Sequence, residues 1–343
     1  MRPLLLLSAL LASTATALDP RGLEAAAAYS RDHRGSALLV MQGGQVLFSE
    51  GQNGFALAQP HLLASGSKSF SCALAVALSD QGVLSLDERV SATLTEWATD
   101  PLKNQITVRH LLNFTSGLPA RIGPSAARLN ADLFGSALRA PLEAPPGHRY
   151  TYGNAHLAAF GLLVQRKTGL DPAAVLQRRV LDRIGVRAQW ARDRKGQPNL
   201  AGSASMTALD WATYGQLILQ GGVWKGARVL SREGLDQCFR GSSALATYGL
   251  TWWLNVPFAG TLDAEDEVPV QAMGAGSGGA QQIAPSAPST LVMAAGALNQ
   301  RLYLLPDEGL VVVRFGEGGP WSDEGFLARL LGKKPQGSAQ DQP

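Results

Sequence analysis

Residues 63–70 read LASGSKSF and, after Ser71, lead into CALAVAL, so Ser65, Ser67, Lys68 and Ser69 stand at the mouth of a segment too apolar to be a surface helix. If a helix begins near Ser65, that serine and Lys68, three residues on, share one face, whereas Ser67 is turned about two hundred degrees from Ser65. Ser65 is then the serine that Lys68 can touch. A helix start adds backbone N–H groups without intrahelical partners and a positive dipole end, both suited to an oxyanion forming on a carbonyl attacked there. In a site dry enough to disfavour its charge, the lysine amine takes the Ser65 proton and makes the hydroxyl a nucleophile. The same spacing also arises by chance, and serine is an ordinary helix cap, so the motif needs company.

Company comes from RYTYGNAHLAAFG, where Tyr152, Gly153 and Asn154 open another apolar helix. They bring a phenol and an amide, groups that relay protons and hold a substrate carbonyl. Taken singly, Tyr152 reads as a half-buried aromatic with its hydroxyl capped, and Asn154 as a helix cap. A third segment, ITVRHLLNFTSGLP, reads as a helix with an apolar face that ends in Thr-Ser-Gly ahead of a proline.

On these segments the chain resembles the serine β-lactamase and penicillin-binding-protein-like hydrolases. Within them it is nearest the group holding class C β-lactamases, D-alanyl-D-alanine carboxypeptidases, β-lactamase-like esterases and 6-aminohexanoate-dimer hydrolases. LASGSKSF is similar to the family's nucleophile motif, ITVRHLLNFTSGLP to its well-known helix and PPGHRYTYGNAHLAAFG to its tyrosine motif. LAGSASMTALDWATYGQLILQGG and YGLTWWLN also look like family segments, so the resemblance covers nearly all of the chain beyond its first residues. It implies an acyl-enzyme route without metal or cofactor, in which Ser65 attacks, Lys68 and Tyr152 share proton transfer, and Asn154 helps position the substrate.

The family's third motif, Lys-Thr-Gly or His-x-Gly on a strand facing the nucleophile, falls at Ala294-Ala295-Gly296. The cation that would bind the carboxylate of a β-lactam or a stem peptide is replaced by Ala294. That moves the expected substrate to a small-molecule ester or unactivated amide. A β-lactamase, a D-Ala-D-Ala carboxypeptidase and a catalytically weak ligand-binding relative are the alternatives. By the same resemblance the Ala297 N–H, just after Gly296, completes an oxyanion hole with that of Ser65, a task that asks for no particular side chain.

The elements that must position these groups are legible as periodicities. DPRGLEAAAAYSRDH reads as a helix, and SALLVMQGGQVLFSEG as two strands turned at Gly43-Gly44. Helical spacing then dominates from about Ser65 to Leu235, as in AHLAAFGLLVQRKTG and ALDWATYGQLILQGG, each closed by glycine. Strands return in YGLTWWLN, TLVMAAG, RLYLLP and GLVVVRF before a short helical SDEGFLARLLG. The expected architecture is a mixed α/β (α+β) fold of the β-lactamase/transpeptidase-like kind. Residues 18–70 and 236–332 supply an antiparallel sheet with helices, 71–235 a mainly helical domain, and the two meet at a cleft. Residues 259–289, with DAEDE, read as a long exposed loop and 333–343 as a disordered tail.

Of the 343 residues, 45% are hydrophobic and 17% charged, enough to bury a large core. The opening MRPLLLLSALLASTATA reads as a secretory signal spanning residues 1–17, too short to cross a bilayer, so the chain is expected to be exported to the periplasm or secreted. A formal net charge of +3 and singly scattered basic residues give nucleic acid nothing to bind. The two cysteines, Cys72 and Cys238, have the chemistry for a disulfide in an export context, although Cys72 reads more readily as an apolar filler of its helix. Two cysteines and five histidines show no paired metal-ligand spacing. A Ser-His-Asp hydrolase of the α/β type is not expected, because AGSGG around Ser277 precedes no helix and every histidine precedes Ser277, where that fold needs one after it. His110 and His156 read as ordinary helix members, and Trp252 and Trp253 as sheet packing.

Overall fold

The computed structural model describes residues 18–122, 132–258 and 282–336. The signal read at 1–17, the stretch with DAEDE and Ser277, and residues 337–343 of the tail lie outside the described residues.

Helix α1 (Pro20–Asp32) starts on Asp19, whose carboxylate accepts from the Arg21 N–H, with proline in its first turn. Strands β1 (Gly35–Gln42) and β2 (Gln45–Gly51) follow, turned at Gly43 and Gly44 with φ of 57° and 83°, values that side chains resist. The short β3 (His61–Leu62) leads into a 3-10 turn (Ala64–Ser69) and helix α2 (Phe70–Ser79). Every residue from Phe70 to Leu78 is buried, as befits a helix that is apolar all round.

The helical body continues through α3 (Val108–Leu112), α4 (Leu133–Arg139), α5 (Ala155–Thr168), α6 (Pro172–Leu176) and α7 (Asp182–Ile184). Helix α5 ends on Gly169 at φ 67°, the left-handed stop that its sequence announces. Helix α3 ends earlier than expected. Asn113 Oδ1 accepts from both the N–H and the hydroxyl of Thr115, and Phe114 turns left-handed at φ 60°, so the chain leaves the helix before Thr-Ser-Gly. Strands β4 (Gln189–Trp190) and β5 (Ala204–Met206) join β3 in a small sheet of order β3-β5-β4. Helix α8 (Ala208–Leu219), the pair β6 (Val223–Trp224) and β7 (Ala227–Arg228), and α9 (Arg232–Cys238) close this half. Strands β8 (Trp253–Leu254), β9 (Val292–Gly296), β10 (Gln300–Leu305) and β11 (Leu310–Gly316) and helix α10 (Asp323–Leu330) complete the chain.

The main sheet runs β2-β1-β11-β10-β9-β8 with all neighbours antiparallel. Within it β1 lies beside β11, Leu39 opposite Val313, so distant parts of the chain build one sheet as the strand-rich ends of the sequence require. Helices α1 and α10 pack together on one face. Helix α8 covers the other, brought close by Gly215, where a Cβ would lie 2.8 Å from Leu302 and Val311. The sheet therefore draws one of its covering helices from within residues 71–235.

Three further expectations change. Cys72 on α2 is buried, but it is no lone filler: it is bonded to Cys238 on α9 across 166 residues of sequence. Part of the segment read as an exposed loop is packed, with Ile283 and Ala284 buried and the Asn255 amide held by Ala284 O and Ala287 O. The start of the tail is also fixed, since Lys333 Nζ donates to Ser286 O at 2.7 Å and the Gln336 N–H to Glu324 Oε1 at 2.7 Å.

Candidate active site

Ser65 and Lys68 stand on the 3-10 turn that precedes α2, rather than on a regular α-helix. At three residues per turn, positions i and i+3 eclipse, which sets the two side chains one above the other. Lys68 Nζ lies 3.0 Å from Ser65 Oγ. Hydroxyls of the same motif tighten the turn, with Ser67 Oγ donating to Ala64 O at 2.7 Å and Ser69 Oγ to Gly66 O at 2.8 Å. Ser67 faces away from Ser65, as its spacing requires, and accepts the Ala204 N–H at 3.0 Å, which pins the turn to β5. Ala64, immediately before the serine, is held at φ 45°, a strained conformation for a residue with a Cβ.

Lys68 is 2% exposed, and its amine reaches Ser65 Oγ, Asn154 Oδ1 at 3.4 Å and Ala201 O at 2.6 Å. The two amide oxygens can only accept, whereas a serine hydroxyl both donates and accepts. A charged Lys68 donates to Ser65 Oγ, and a neutral one turns its lone pair to that hydroxyl, so a proton can pass along this contact. Nζ also lies 4.8 Å from the centre of the Tyr152 ring, whose π face favours a cation.

The Tyr152 motif enters α5 from a loop clamped to the chain after α3. Thr151 N–H donates to Phe114 O at 2.9 Å and Asn154 N–H to Ala120 O at 3.1 Å. Gly153 is required there, because a Cβ would come within 2.4 Å of the Ala120 backbone. His156, fully buried on α5, bridges the two segments through Nε2 to Thr151 O and Nδ1 to Ser116 Oγ, both at 2.8 Å. A carbonyl accepts only, so Nε2 carries the proton and Nδ1 accepts from the hydroxyl. Burial pushes the imidazole pKa down to about 4 and keeps the ring neutral. Trp252 and Trp253 are both buried, and the Trp253 ring lies 5.9 Å from that of Tyr152.

Strand β9 ends against the nucleophile turn. A Cβ on Gly296 would fall 2.1 Å from Leu63 O and 3.0 Å from Gly66 N, so only glycine permits the approach. Ala297, the next residue, is exposed. The turn's first internal bond is from Gly66 N–H to Leu63 O, at 2.9 Å, which leaves the Ser65 N–H ahead of the ladder. Ala294 is buried within β9. Among the described residues no three His, Cys, Asp or Glu side chains are grouped to hold a metal ion, and no helix is long and apolar enough to cross a membrane.

Ser65, Lys68, Tyr152 and Asn154 thus share one site, with Gly296 against the turn that carries the serine. Sequence reasoning missed three supports: the Ala201 carbonyl, the Ser67 bridge to β5 and the Ser116-His156 tie. The first is a backbone group and leaves no mark in residue type.

A model of the family described as Beta-lactamase matches residues 20–333. Monacolin J acid methylbutanoyltransferase of Aspergillus terreus is 32% identical over 152 residues, and the alignment covers 37% of this chain and only 37% of that relative's length. A solved penicillin-binding protein homologue from Caulobacter crescentus superposes with a TM-score of 0.68 at 15% identity, over 92% of this chain and 97% of its own. EstCE1, described as a hydrolase with promiscuous acyltransferase activity, gives 0.65 at 16% identity over 91% and 97%. At such identities the superpositions speak for the fold.

Proposed function

Because the chain belongs to the beta-lactamase family, we propose that it is an exported serine hydrolase that works through an acyl-enzyme on esters or unactivated amides. The observation that carries the reading is the 3.0 Å contact between the buried Lys68 Nζ and Ser65 Oγ, made by an amine that also reaches Asn154 Oδ1 and Ala201 O.

Ser65 Oγ attacks the substrate carbonyl carbon while its proton passes to neutral Lys68. The carbonyl oxygen becomes an oxyanion, held by the N–H groups of Ser65 and Ala297 at the positive end of the turn and α2. On collapse the bond to the alcohol or amine breaks, and the leaving group takes the proton from Lys68, directly or through the Tyr152 hydroxyl. Water then attacks the acyl-Ser65 carbonyl and gives a proton to the same pair, which passes it to Ser65 Oγ as the acyl bond breaks, releasing the acid and the free serine. Asn154, with its oxygen toward Lys68, offers its amide N–H groups to a substrate carbonyl.

Ala294 supports the preference for neutral esters and amides, since a methyl group stands where a carboxylate-binding cation is expected. The same acyl-enzyme serves acyl transfer when an alcohol replaces water, the kind of activity named for the Aspergillus terreus relative. The Cys72–Cys238 bond supports export, because disulfides persist in oxidising compartments.

Turnover of a p-nitrophenyl ester and of a chromogenic cephalosporin, by the wild type and by Ser65→Ala, tests the reading. Ester hydrolysis is expected to exceed cephalosporin hydrolysis, and both are lost in the variant. A strong preference for penicillins or D-Ala-D-Ala peptides overturns the substrate class. Equal inertness of the two proteins favours a ligand-binding protein instead.

A further inference from the structure

Behind the end of β9, the chain from Gly296 to Gln300 turns five successive carbonyls onto donors from buried side chains. Arg301 Nη1 donates to Gly296 O at 3.2 Å and Gln300 O at 3.1 Å, Gln300 Nε2 to Ala297 O and Leu298 O at 3.2 Å each, and Arg314 Nη1 to Asn299 O at 2.9 Å. All three side chains are at most 4% exposed. Burying two guanidinium groups is costly, so their placement on one turn calls for a physical reason.

Each donor is itself fixed. Arg301 is paired with the fully buried Asp323, Nε to Oδ1 at 2.8 Å and Nη2 to Oδ2 at 3.3 Å, and Asp323 also accepts from Trp321 Nε1 and the Tyr303 hydroxyl. The Gln300 amide pairs both ways with Gly316, donating to its carbonyl at 2.7 Å and accepting its N–H at 3.1 Å. Arg314 lies over the Trp321 ring at 4.0 Å, and Gly316 makes room for it, because a Cβ there would fall 2.1 Å from Nη1. The turn so gripped holds Leu298 and Asn299 left-handed, at φ 60° and 68°. Two adjacent residues with side chains stay in that region only when their surroundings leave no alternative.

A trans peptide points the C=O of one residue and the N–H of the next in opposite directions, and no described peptide bond is cis. Arg301 draws the Gly296 carbonyl inward, so the Ala297 N–H is directed the other way, from a residue that adjoins the turn bearing Ser65. We propose that Arg301 and Gln300 are positioning residues for the hydrolase. Through the Gly296-Ala297 peptide plane and the turn behind it, they aim the Ala297 N–H at the oxygen of the carbonyl under attack by Ser65. The proposal rests on the reading of Ser65 as nucleophile and of Ala297 N–H as oxyanion donor.

Two variants test it with kinetics on a p-nitrophenyl ester and its thionoester. Arg301→Lys keeps a cation beside Asp323 but lacks the second arm that reaches Gly296 O, and Gln300→Met nearly keeps volume while removing the donors. In each, kcat is expected to fall at least tenfold, toward the roughly hundredfold loss that follows removal of an oxyanion donor, with KM changed less than twofold. The ester-to-thionoester rate ratio is expected to fall as well, because sulfur accepts hydrogen bonds poorly and so benefits little from an aligned donor. One folded variant is enough to decide. A folded variant with kcat within threefold of wild type and an unchanged ratio overturns the proposal, as does failure of both variants to fold, which would make the network a stability element. Labelling of wild-type Ser65 by a fluorophosphonate is the control: if it succeeds while the variants behave as wild type, the positioning role alone falls, and if it fails, the nucleophile reading falls first.

Discussion

Replacing Gly296 by alanine should separate the two walls of the site by a predictable distance. The new Cβ would lie 2.1 Å from Leu63 O and 3.0 Å from Gly66 N. Both are backbone atoms, and Leu63 is held on both sides: its carbonyl accepts the Gly66 N–H at 2.9 Å, and its N–H donates to Ala204 O at 2.8 Å. With no rotamer to change, relief needs a retreat of β9 from the nucleophile turn by about 1 Å, since side-chain contacts under 3.0 Å essentially do not occur. Misplacement on this scale lowers rates by about a hundredfold when reacting groups must be aligned. Overpacking costs about 1–3 kcal/mol, and at about 2–4 °C of Tm per kcal/mol in a chain this long the melting temperature should drop by several degrees. Ester kinetics well below Tm and thermal melts of wild type and Gly296→Ala measure both effects. A variant with kcat/KM within threefold of wild type and an unchanged Tm would refute the claim that β9 closes on the serine turn.

Other consequences follow from buried polar groups and from the cross-link. His156 is neutral in the fold with a pKa near 4, against an ordinary 6.5, so the unfolded chain takes up the proton first as pH falls. The stability it contributes is therefore complete above pH 6.5 and lost toward pH 4, by about 3 kcal/mol in all; urea unfolding across that range should show a steeper loss in wild type than in His156→Gln, and equal slopes contradict the assignment. Ser67→Ala orphans the Ala204 N–H and frees Ala64 O, a loss of about 1–3 kcal/mol that chemical denaturation would report, together with a fall in kcat. Removing the disulfide by Cys72→Ala with Cys238→Ala should destabilise by roughly 2–5 kcal/mol, given the long loop that it closes, whereas an unchanged midpoint would show that the bond adds little.

Much of the site was legible because its geometry is local. Ser65 and Lys68 share a face whether the turn is α or 3-10, so the spacing survived an error in helix type. The strands at the two ends of the sequence were legible too, since a run such as GLVVVRF belongs in a buried sheet. What escaped was non-local or carried by backbone. The Ala201 carbonyl lies 133 residues from the lysine it holds, and the disulfide partners lie 166 apart. Arg301 and Arg314 sit in apolar strands where nothing in the residue pattern marks a lone basic residue as buried. Only the packing of α1 and α10 on that face, with the inward carbonyls of the 296–300 turn, makes them core residues.

The central claim is that one hydroxyl in this chain is activated by one amine. Intact-mass analysis after exposure to a fluorophosphonate, with the adduct mapped by peptide sequencing, tests it directly. A single adduct on Ser65, absent from Ser65→Ala and formed far more slowly in Lys68→Ala, is the predicted result. An adduct on any other residue, or ester turnover that persists in Ser65→Ala, would contradict it.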